Sequence, residues 1–126
     1  MSKQSILTSA APAPIGPYSQ AILAGNTLYC SGQIALDPVS GELRNSDILT
    51  ETRQVMANVE AVLKQAGFGF EHVVKTSIFL KDMKDFQAVN SVYETYFQAP
   101  FPARETVQVA GLPRNANVEI SIVAVK

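Results

Sequence analysis

The sequence predicts an α+β protein in which a mixed β-sheet carries two helices on one face. The 126 residues are enough for a single domain, and a 47% apolar and 17% charged composition is typical of a folded globular chain. The segments follow the order strands, helix, strand, helix, strands, which favours an α+β layer. Every proline lies outside these segments or at their ends, as expected if the segments are helices and strands.

The first predicted structure is a β-hairpin. Residues 18–24 and 27–32 are apolar, strand-like runs, and the Gly25-Asn26 pair between them is a two-residue hairpin signal. The following segment, Asp37-Pro38-Val39-Ser40-Gly41, predicts a turn. The chain therefore begins its sheet with two antiparallel strands.

Two helices and a strand follow. The apolar spacing predicts a first helix over about 47–66, with Asp47 as N-cap and Gly67 at its C-terminal stop. Residues 72–81 form a β-branched strand. A second helix is predicted over about 83–97, and its inner stripe consists of Phe86, Val89, Asn90, Tyr93 and Phe97.

Two final strands are predicted over about 103–109 and 117–125. In the last strand Val118, Ile120, Ile122 and Ala124 share one face, while Val123 and Val125 lie on the other. In the strand at 72–81, Val74, Ile78 and Leu80 oppose Val73 and Phe79. Two helices cover only one face of a sheet, so we expect a homo-oligomer to bury the second face. The alternative is that the N-terminal segment folds back over part of it.

Composition argues against several classes of function. The net charge of −1 and the lack of a basic cluster disfavour nucleic-acid binding, and no segment has the length of a membrane span. The single cysteine, Cys30, cannot form an internal disulfide, which favours a cytoplasmic address. With one histidine, His72, one cysteine and no clustered carboxylates, we expect no metal site, and without a glycine-rich phosphate loop we expect no cofactor.

The most informative segment is FPARETVQV, residues 101–109. Pro102 makes the chain enter extended, and alternation then places Arg104, Thr106 and Gln108 on the face opposite Glu105. A guanidinium at a rigid strand entrance is well placed to hold a small carboxylate through two parallel hydrogen bonds. A structural or surface arginine is the alternative interpretation.

Other polar residues stand where chemistry is possible, each with a structural alternative. Asn90 lies on an apolar helix stripe and needs hydrogen-bond partners, from a ligand or from a neighbouring backbone. Glu119, on the last strand, could orient a water if burial raises its pKa, or it could be a solvated edge residue. Tyr18, after Gly16-Pro17, could close a pocket wall or belong to the core.

The end of the second strand, Ser31-Gly32-Gln33, is a further candidate. Gly32 would let a ligand or another backbone approach closely. A nucleophilic role for Ser31 is disfavoured because His72 begins a different strand and suggests no triad. Cys30 lies in an apolar run and is expected to be a small buried hydrophobe.

Taken together, the chain resembles the RidA/YjgF family of enamine/imine deaminases. The resemblance spans nearly the whole sequence and is carried by the segments APAPIGPYSQA, CSGQI, DPVSGEL, QVMANVEAVLKQAG, VVKTSIFLKDMKDFQAVNSVYETYF, FPARETVQVAGLP and NVEISIVAV. The order IGPYSQ, SGQI, FPAR, VEI is highly specific, whereas each motif alone is weak.

The resemblance implies a chorismate-mutase-like fold, a homotrimer whose sheets form a central barrel, and active sites between subunits. It implies hydrolysis of 2-imino acids and their enamines to 2-keto acids and ammonia, which protects pyridoxal-phosphate enzymes. It implies catalytic roles for Arg104 on the substrate carboxylate, Glu119 on a water and Tyr18 in the pocket. The residues it implies at the substrate are Ser31, Gly32, Asn90 and Thr106.

Two positions depart from the family pattern. Thr106 stands where many deaminating members carry cysteine, and Glu105 replaces a residue that is usually small or apolar. The alternative function is therefore a non-catalytic oligomer that binds 2-keto acids or other small carboxylates. RNA cleavage or translation inhibition, attached to some relatives, is a third interpretation, and the missing basic surface counts against it.

Overall fold

A computed structural model describes residues 2–126, and its six strands form one sheet. The strands are β1 (Lys3–Ile6), β2 (Ala21–Ala24), β3 (Thr27–Gln33), β4 (Val73–Leu80), β5 (Ala103–Gln108) and β6 (Val118–Val125). Their order across the sheet is β1-β2-β3-β6-β4-β5. Only the β4–β5 pair is parallel, so the sheet is mixed, as the sequence predicts. Ala24 pairs with Thr27 across the predicted hairpin turn.

The two helices are α1 (Ile48–Gln65) and α2 (Phe86–Tyr93), and both pack on one face of the sheet. Asp47 caps α1 as predicted, because its carboxylate accepts a hydrogen bond from the Thr50 amide. The second helix is shorter than the predicted span 83–97. Its first and last turns, Met83–Asp85 and Glu94–Tyr96, are tighter 3₁₀ turns.

The core lies between the helices and the sheet. The predicted inner set of β6, Val118, Ile120, Ile122 and Ala124, is buried there. In β4 the predicted alternation is wrong at its first residues. Val73 is buried at 6% exposure and Val74 is 47% exposed, because the β4–β6 register shifts between Val73 and Lys75. The strand therefore regains its alternation only after this irregularity.

The opposite side of the sheet, here called the open face, carries exposed apolar side chains. Tyr29, Val107 and Val125 are each more than a third exposed. The N-terminal segment does not cover them. It instead adds β1, which was not predicted, to the sheet edge beside β2. The sequence of β1, Lys-Gln-Ser-Ile, lacks the apolar alternation by which a strand is recognised.

Within residues 2–126 no helix combines the length and the apolar character that a membrane crossing requires.

Candidate active site

The residues predicted to form a site fall into two groups on opposite faces of the sheet. The first, here called the arginine half, contains Arg104, Asn90 and Thr106 beside α2. The second, here called the glutamate half, contains the other four predicted residues, which line one cavity: Tyr18, Ser31, Gly32 and Glu119. The geometry of each half is distinct.

In the arginine half, the guanidinium of Arg104 is held by three side chains of α2. Its Nη1 donates a hydrogen bond of 2.6 Å to Oδ1 of Asn90. Its Cζ lies 5.7 Å from the ring centre of Phe86 and 5.1 Å from that of Tyr93. These neutral contacts orient the charge without neutralising it. The other guanidinium N–H groups have no acceptor among residues 2–126, and they are available to an anion.

The two aromatic partners were not predicted as site residues, although both lie on the predicted inner stripe of the second helix. Phe86 precedes Asn90 by four residues and Tyr93 follows it by three, which places all three on one helix face. The Tyr93 hydroxyl is hydrogen-bonded to Thr76 Oγ1 at 2.9 Å. Burial raises the pKa of Tyr93, so the ring next to Arg104 stays neutral.

Thr106 lies two residues after Arg104 on the same face of β5, next to Ile78 of β4. Its Oγ1 is buried and has no hydrogen-bond partner among residues 2–126. A buried hydroxyl without a partner is uncommon and indicates a place for a ligand or an ordered water. Asn90, by contrast, already binds Arg104, so its observed contact orients the arginine.

In the glutamate half, the carboxyl group of Glu119 enters a cavity of about 380 Å³. Burial raises its pKa, because the charged form loses hydration there. Gly32 lies directly beneath this carboxyl group. A Cβ at position 32 would lie only 2.6 Å from Glu119 Oε2. The group that approaches Gly32 closely is thus the Glu119 side chain, whereas the sequence pattern predicted a ligand or another backbone.

Ser31 and Gly32 belong to an irregular part of β3, where the register with β6 shifts between Cys30 and Gln33. The Ser31 hydroxyl donates a hydrogen bond of 2.6 Å to the Ser19 carbonyl. Its only proton is thus engaged, and its oxygen keeps acceptor capacity. The Tyr18 ring is about half exposed at the cavity wall, and its hydroxyl oxygen accepts a 3.4 Å bond from the Ile15 amide.

Two further residues of this cavity were missed. The side chain of Gln20 is 2% exposed; it accepts a hydrogen bond from the Thr8 amide and donates to the carbonyls of Thr8, Ala11 and Pro12. These bonds fix the segment 8–12, and Pro12 forms part of the cavity wall. The sequence signal that could have identified Gln20 is its polar side chain amide within the apolar run that follows Tyr18. Arg114 also lines the cavity from a left-handed backbone (φ 58°), and no pattern in the sequence indicates this position.

Neither the cysteine nor the histidine takes part in these two halves. Cys30 is buried, as predicted, and burial raises the pKa of its thiol to about 12. The His72 Nδ1 accepts a hydrogen bond from the Gly69 amide and serves the turn before β4. Among residues 2–126 no three His, Cys, Asp or Glu side chains are grouped as a metal site would need.

The sheet separates the two halves within one chain. Arg104 is paired with Thr76, which faces the helices, and Glu119 is paired with Phe79 on the other side of β4. Their side chains therefore project from opposite faces of the same sheet. One small molecule therefore does not reach both side chains of the same chain.

The fold defines the class: a small α+β protein of one mixed sheet with two helices on one face. The family model described as Endoribonuclease L-PSP matches residues 8–126. The chain therefore belongs to this family, the RidA/YjgF family, as the sequence motifs indicate.

Relatives and solved structures agree with this assignment. A 2-iminobutanoate/2-iminopropanoate deaminase of Capra hircus is 50% identical over 121 residues, which are 96% of this chain and 88% of that relative. A Rid-family protein of Yersinia pestis is 47% identical with a TM-score of 0.96, covering 99% and 100% of the two chains. The TdcF protein of E. coli, solved with bound serine, is 37% identical with a TM-score of 0.93, covering 98% of each. The predicted fold is thereby confirmed, whereas the trimer and the residue roles stay predictions.

Proposed function

We propose that this protein hydrolyses 2-imino acids, and the enamines in equilibrium with them, to 2-keto acids and ammonia. The observation that carries the proposal is the guanidinium of Arg104, which is oriented by neutral partners while most of its N–H groups remain without an acceptor. The 50% identity to a protein named 2-iminobutanoate/2-iminopropanoate deaminase supports the same reaction.

Arg104 binds the substrate carboxylate in this scheme. A planar guanidinium forms two parallel charge-assisted bonds to a carboxylate, which fixes both the position and the plane of the 2-imino acid. Asn90 holds the guanidinium from behind. Thr106, whose buried Oγ1 lacks a partner, accepts or donates one further hydrogen bond at the substrate.

Glu119 acts on the attacking water. Its carboxylate takes one proton as the water oxygen bonds to C2 of the iminium, which gives a carbinolamine. Glu119 then returns the proton to the nitrogen. The C–N bond breaks and ammonia leaves as the carbinolamine hydroxyl gives its proton back to the Glu119 carboxylate and the C2 carbonyl forms. A raised pKa suits a group that both accepts and returns a proton near neutral pH. Tyr18 and Ser31 line the same cavity and contact the substrate.

We further propose that the active site forms between subunits of a homotrimer. The arginine and glutamate halves lie on opposite faces of one sheet, so the Arg104 of one chain must meet the Glu119 of another. The exposed apolar residues of the open face, including Tyr29 and Val107, supply a surface for such an assembly, in which the sheets form a central barrel.

The substrates suggest the cellular role. Enamines of this kind are released by pyridoxal-phosphate enzymes that act on serine and threonine, and they inactivate such enzymes if they persist. A short-lived substrate favours hydrolysis in the compartment where it is made, which we infer to be the cytoplasm. The protein thus protects other enzymes, and it needs no cofactor to do so.

The test couples an amino-acid oxidase, which generates 2-imino acids, to semicarbazide as a trap. An active protein lowers the rate of semicarbazone formation, because it converts the imine to the keto acid first. We expect Arg104→Ala to lower kcat/KM about 10²–10³-fold, as the loss of a charge-assisted pair to the substrate does. Arg104→Lys should recover little, because a point charge cannot replace the planar fork.

Two results would contradict the proposal. Semicarbazone formation unaffected by the wild-type protein, together with tight binding of a 2-keto acid, would favour the carboxylate-binding alternative. An Arg104→Ala protein of unchanged oligomeric state and wild-type rate would remove the arginine from the scheme. Size-exclusion chromatography of each variant provides the control.

A further inference from the structure

A buried carboxylate outside both halves of the site remains without an assigned role. Glu51, in the first turn of α1, is 0% exposed and lines neither the Arg104 pocket nor the Glu119 cavity. Its Oε2 accepts a hydrogen bond of 2.8 Å from the Asn117 amide, and its Oε1 accepts one of 2.7 Å from Asn117 Nδ2. Both oxygens therefore bind one residue, 66 positions away in the chain.

A carboxylate is a costly choice for such a link. Burial of an ionised group is unfavourable unless strong hydrogen bonds or a cation compensate for its lost hydration. None of the ion pairs among residues 2–126 includes Glu51, and both of its partners are neutral. The N-terminal turn of α1 offsets part of the cost. What the carboxylate provides is two charge-assisted bonds, which hold Asn117 more firmly than a neutral amide would.

Asn117 lies between two segments that line the Glu119 cavity. Arg114 is three residues before it, and Glu119 is two residues after it. The Asn117 carbonyl also accepts a 3.0 Å bond from the Lys81 amide, so the residue is fixed through its amide, its side chain and its carbonyl. The preceding residues, Arg114 and Asn115, both have left-handed backbones (φ 58° and 56°), a conformation that persists only when its surroundings hold it.

We propose that Glu51 is a positioning residue for Glu119. Glu51 holds Asn117, and the fully buried Val118 transmits that constraint to Glu119, so that its carboxyl group lies over Gly32 in the cavity. The kinetic consequence rests on the function proposed above. The structural consequence, a Glu119 carboxyl group in a fixed environment, does not depend on turnover.

The test uses Glu51→Gln, which keeps the volume of the side chain but removes its charge. Because Glu119 acts on the water while Arg104 binds the substrate, we expect kcat for imine hydrolysis to fall about tenfold with KM nearly unchanged. Glu60→Gln, on the same helix and exposed, is the matched control and should match the wild type. A Glu51→Gln protein with a lower unfolding midpoint but wild-type kcat would overturn the proposal, because its role would then be structural only.

A double-mutant cycle shows whether Glu51 acts through Glu119. If it does, Glu51→Gln has little further effect on kcat once Glu119→Gln is present. Equal fold-losses in the two backgrounds would contradict the proposal. Should Glu51→Gln fail to fold, Asn117→Ala replaces it in the cycle, because that variant keeps the bond from the Asn117 amide to Glu51 and loses only the side-chain bond.

A carboxyl titration separates this inference from the proposed function. The Glu119 resonance in a 13C-glutamate NMR spectrum is assigned by its loss in Glu119→Gln. Within one chain, the titratable and charged neighbours that line its cavity are Tyr18 and Arg114, and the intersubunit site proposed above adds the Arg104 of a neighbouring subunit. In Glu51→Gln we expect the Glu119 pKa to fall toward its ordinary value, because a less restrained carboxyl group is better hydrated. A wild-type protein without turnover would refute the function, whereas an unchanged Glu119 pKa would refute the positioning role.

Discussion

The two halves of the site treat their charged groups in opposite ways. Arg104 carries a permanent charge, and the rings of Phe86 and Tyr93 with the amide oxygen of Asn90 stabilise it in one orientation. Glu119 is placed where burial disfavours its charge, and its pKa rises as a result. Under the proposed function, one half keeps a charge and the other exchanges a proton.

Within one chain, the sheet keeps the two charged groups apart. A guanidinium beside Glu119 in the same chain would lower the pKa of that carboxyl group. Within one chain the sheet prevents that contact, because Arg104 faces α2 and Glu119 faces the cavity. The following changes test the comparison, beginning with the largest expected effect.

Glu119→Gln should lower kcat about 10²–10⁴-fold, the usual contribution of a positioned acid–base group. The amide keeps the shape of the carboxyl group over Gly32 but cannot accept a proton from water. In the wild type, the activity should rise with pH through the Glu119 pKa, which lies above that of an exposed glutamate. The semicarbazide assay across a pH series measures both effects.

The same substitution should act on stability in the opposite direction. A carboxyl group with a raised folded-state pKa contributes stability that is fully present below its unfolded-state pKa and is lost as the pH rises through the folded-state value. Glu119→Gln should therefore raise the unfolding midpoint relative to the wild type at neutral pH and not at low pH. If the variant were less stable than the wild type at neutral pH, burial would not destabilise the charged form of Glu119, and the interpretation would be contradicted.

Mixing two inactive variants tests whether the halves come from different chains. In a trimer that contains both Arg104→Ala and Glu119→Gln subunits, about a third of the intersubunit sites would have both native residues, whichever variant supplies two of the subunits. We expect close to that share of the wild-type rate, far above either parent. The mixed species is isolated by two affinity tags after co-expression. An isolated mixed oligomer no more active than its parents would show that the two residues do not share an intersubunit site.

The sequence was sufficient for most of the fold because its elements carry local signals. Asp47 and Gly67 bound α1, Gly25-Asn26 marks a hairpin, and β6 alternates along its whole length. β1 was missed because its stability comes from pairing with β2 rather than from its own polar residues. The faces of Val73 and Val74 were assigned wrongly because a register shift is a property of two strands together.

The site was harder to predict because its geometry depends on contacts between distant segments. Motifs identified Arg104 and Glu119, but nothing in either motif shows that they face opposite sides of the sheet. Phe86 and Tyr93 follow the same periodicity as core residues. The sequence therefore could not show whether their rings only pack in the core or also contact Arg104. Glu51 was missed for a similar reason, since its partner Asn117 lies 66 residues away.

The smallest of the expected effects concerns Gly32, where the glutamate half depends on the absence of a side chain. In Gly32→Ala the new Cβ would lie 2.6 Å from Oε2 and 2.8 Å from Cδ of Glu119, so the carboxyl group must move. The end of a side chain can shift more easily than backbone can. We therefore expect folding to survive and kcat to fall about tenfold, with KM little changed because Arg104 is untouched.

Gly111→Ala is the matched control for this substitution. A Cβ at Gly111 would meet no heavy atom within 4 Å, so the same chemical change is made without a clash. Since both variants restrict the unfolded chain similarly, a loss of kcat in Gly32→Ala alone is attributable to the displaced Glu119 carboxyl group. If Gly32→Ala kept the wild-type kcat, the position of that carboxyl group over the β3 irregularity would not matter for the reaction. Glu119 would then act from a flexible side chain. The two halves would differ in the mobility of their charged groups as well as in the sign of the charge, because Arg104 is held by Asn90, Phe86 and Tyr93.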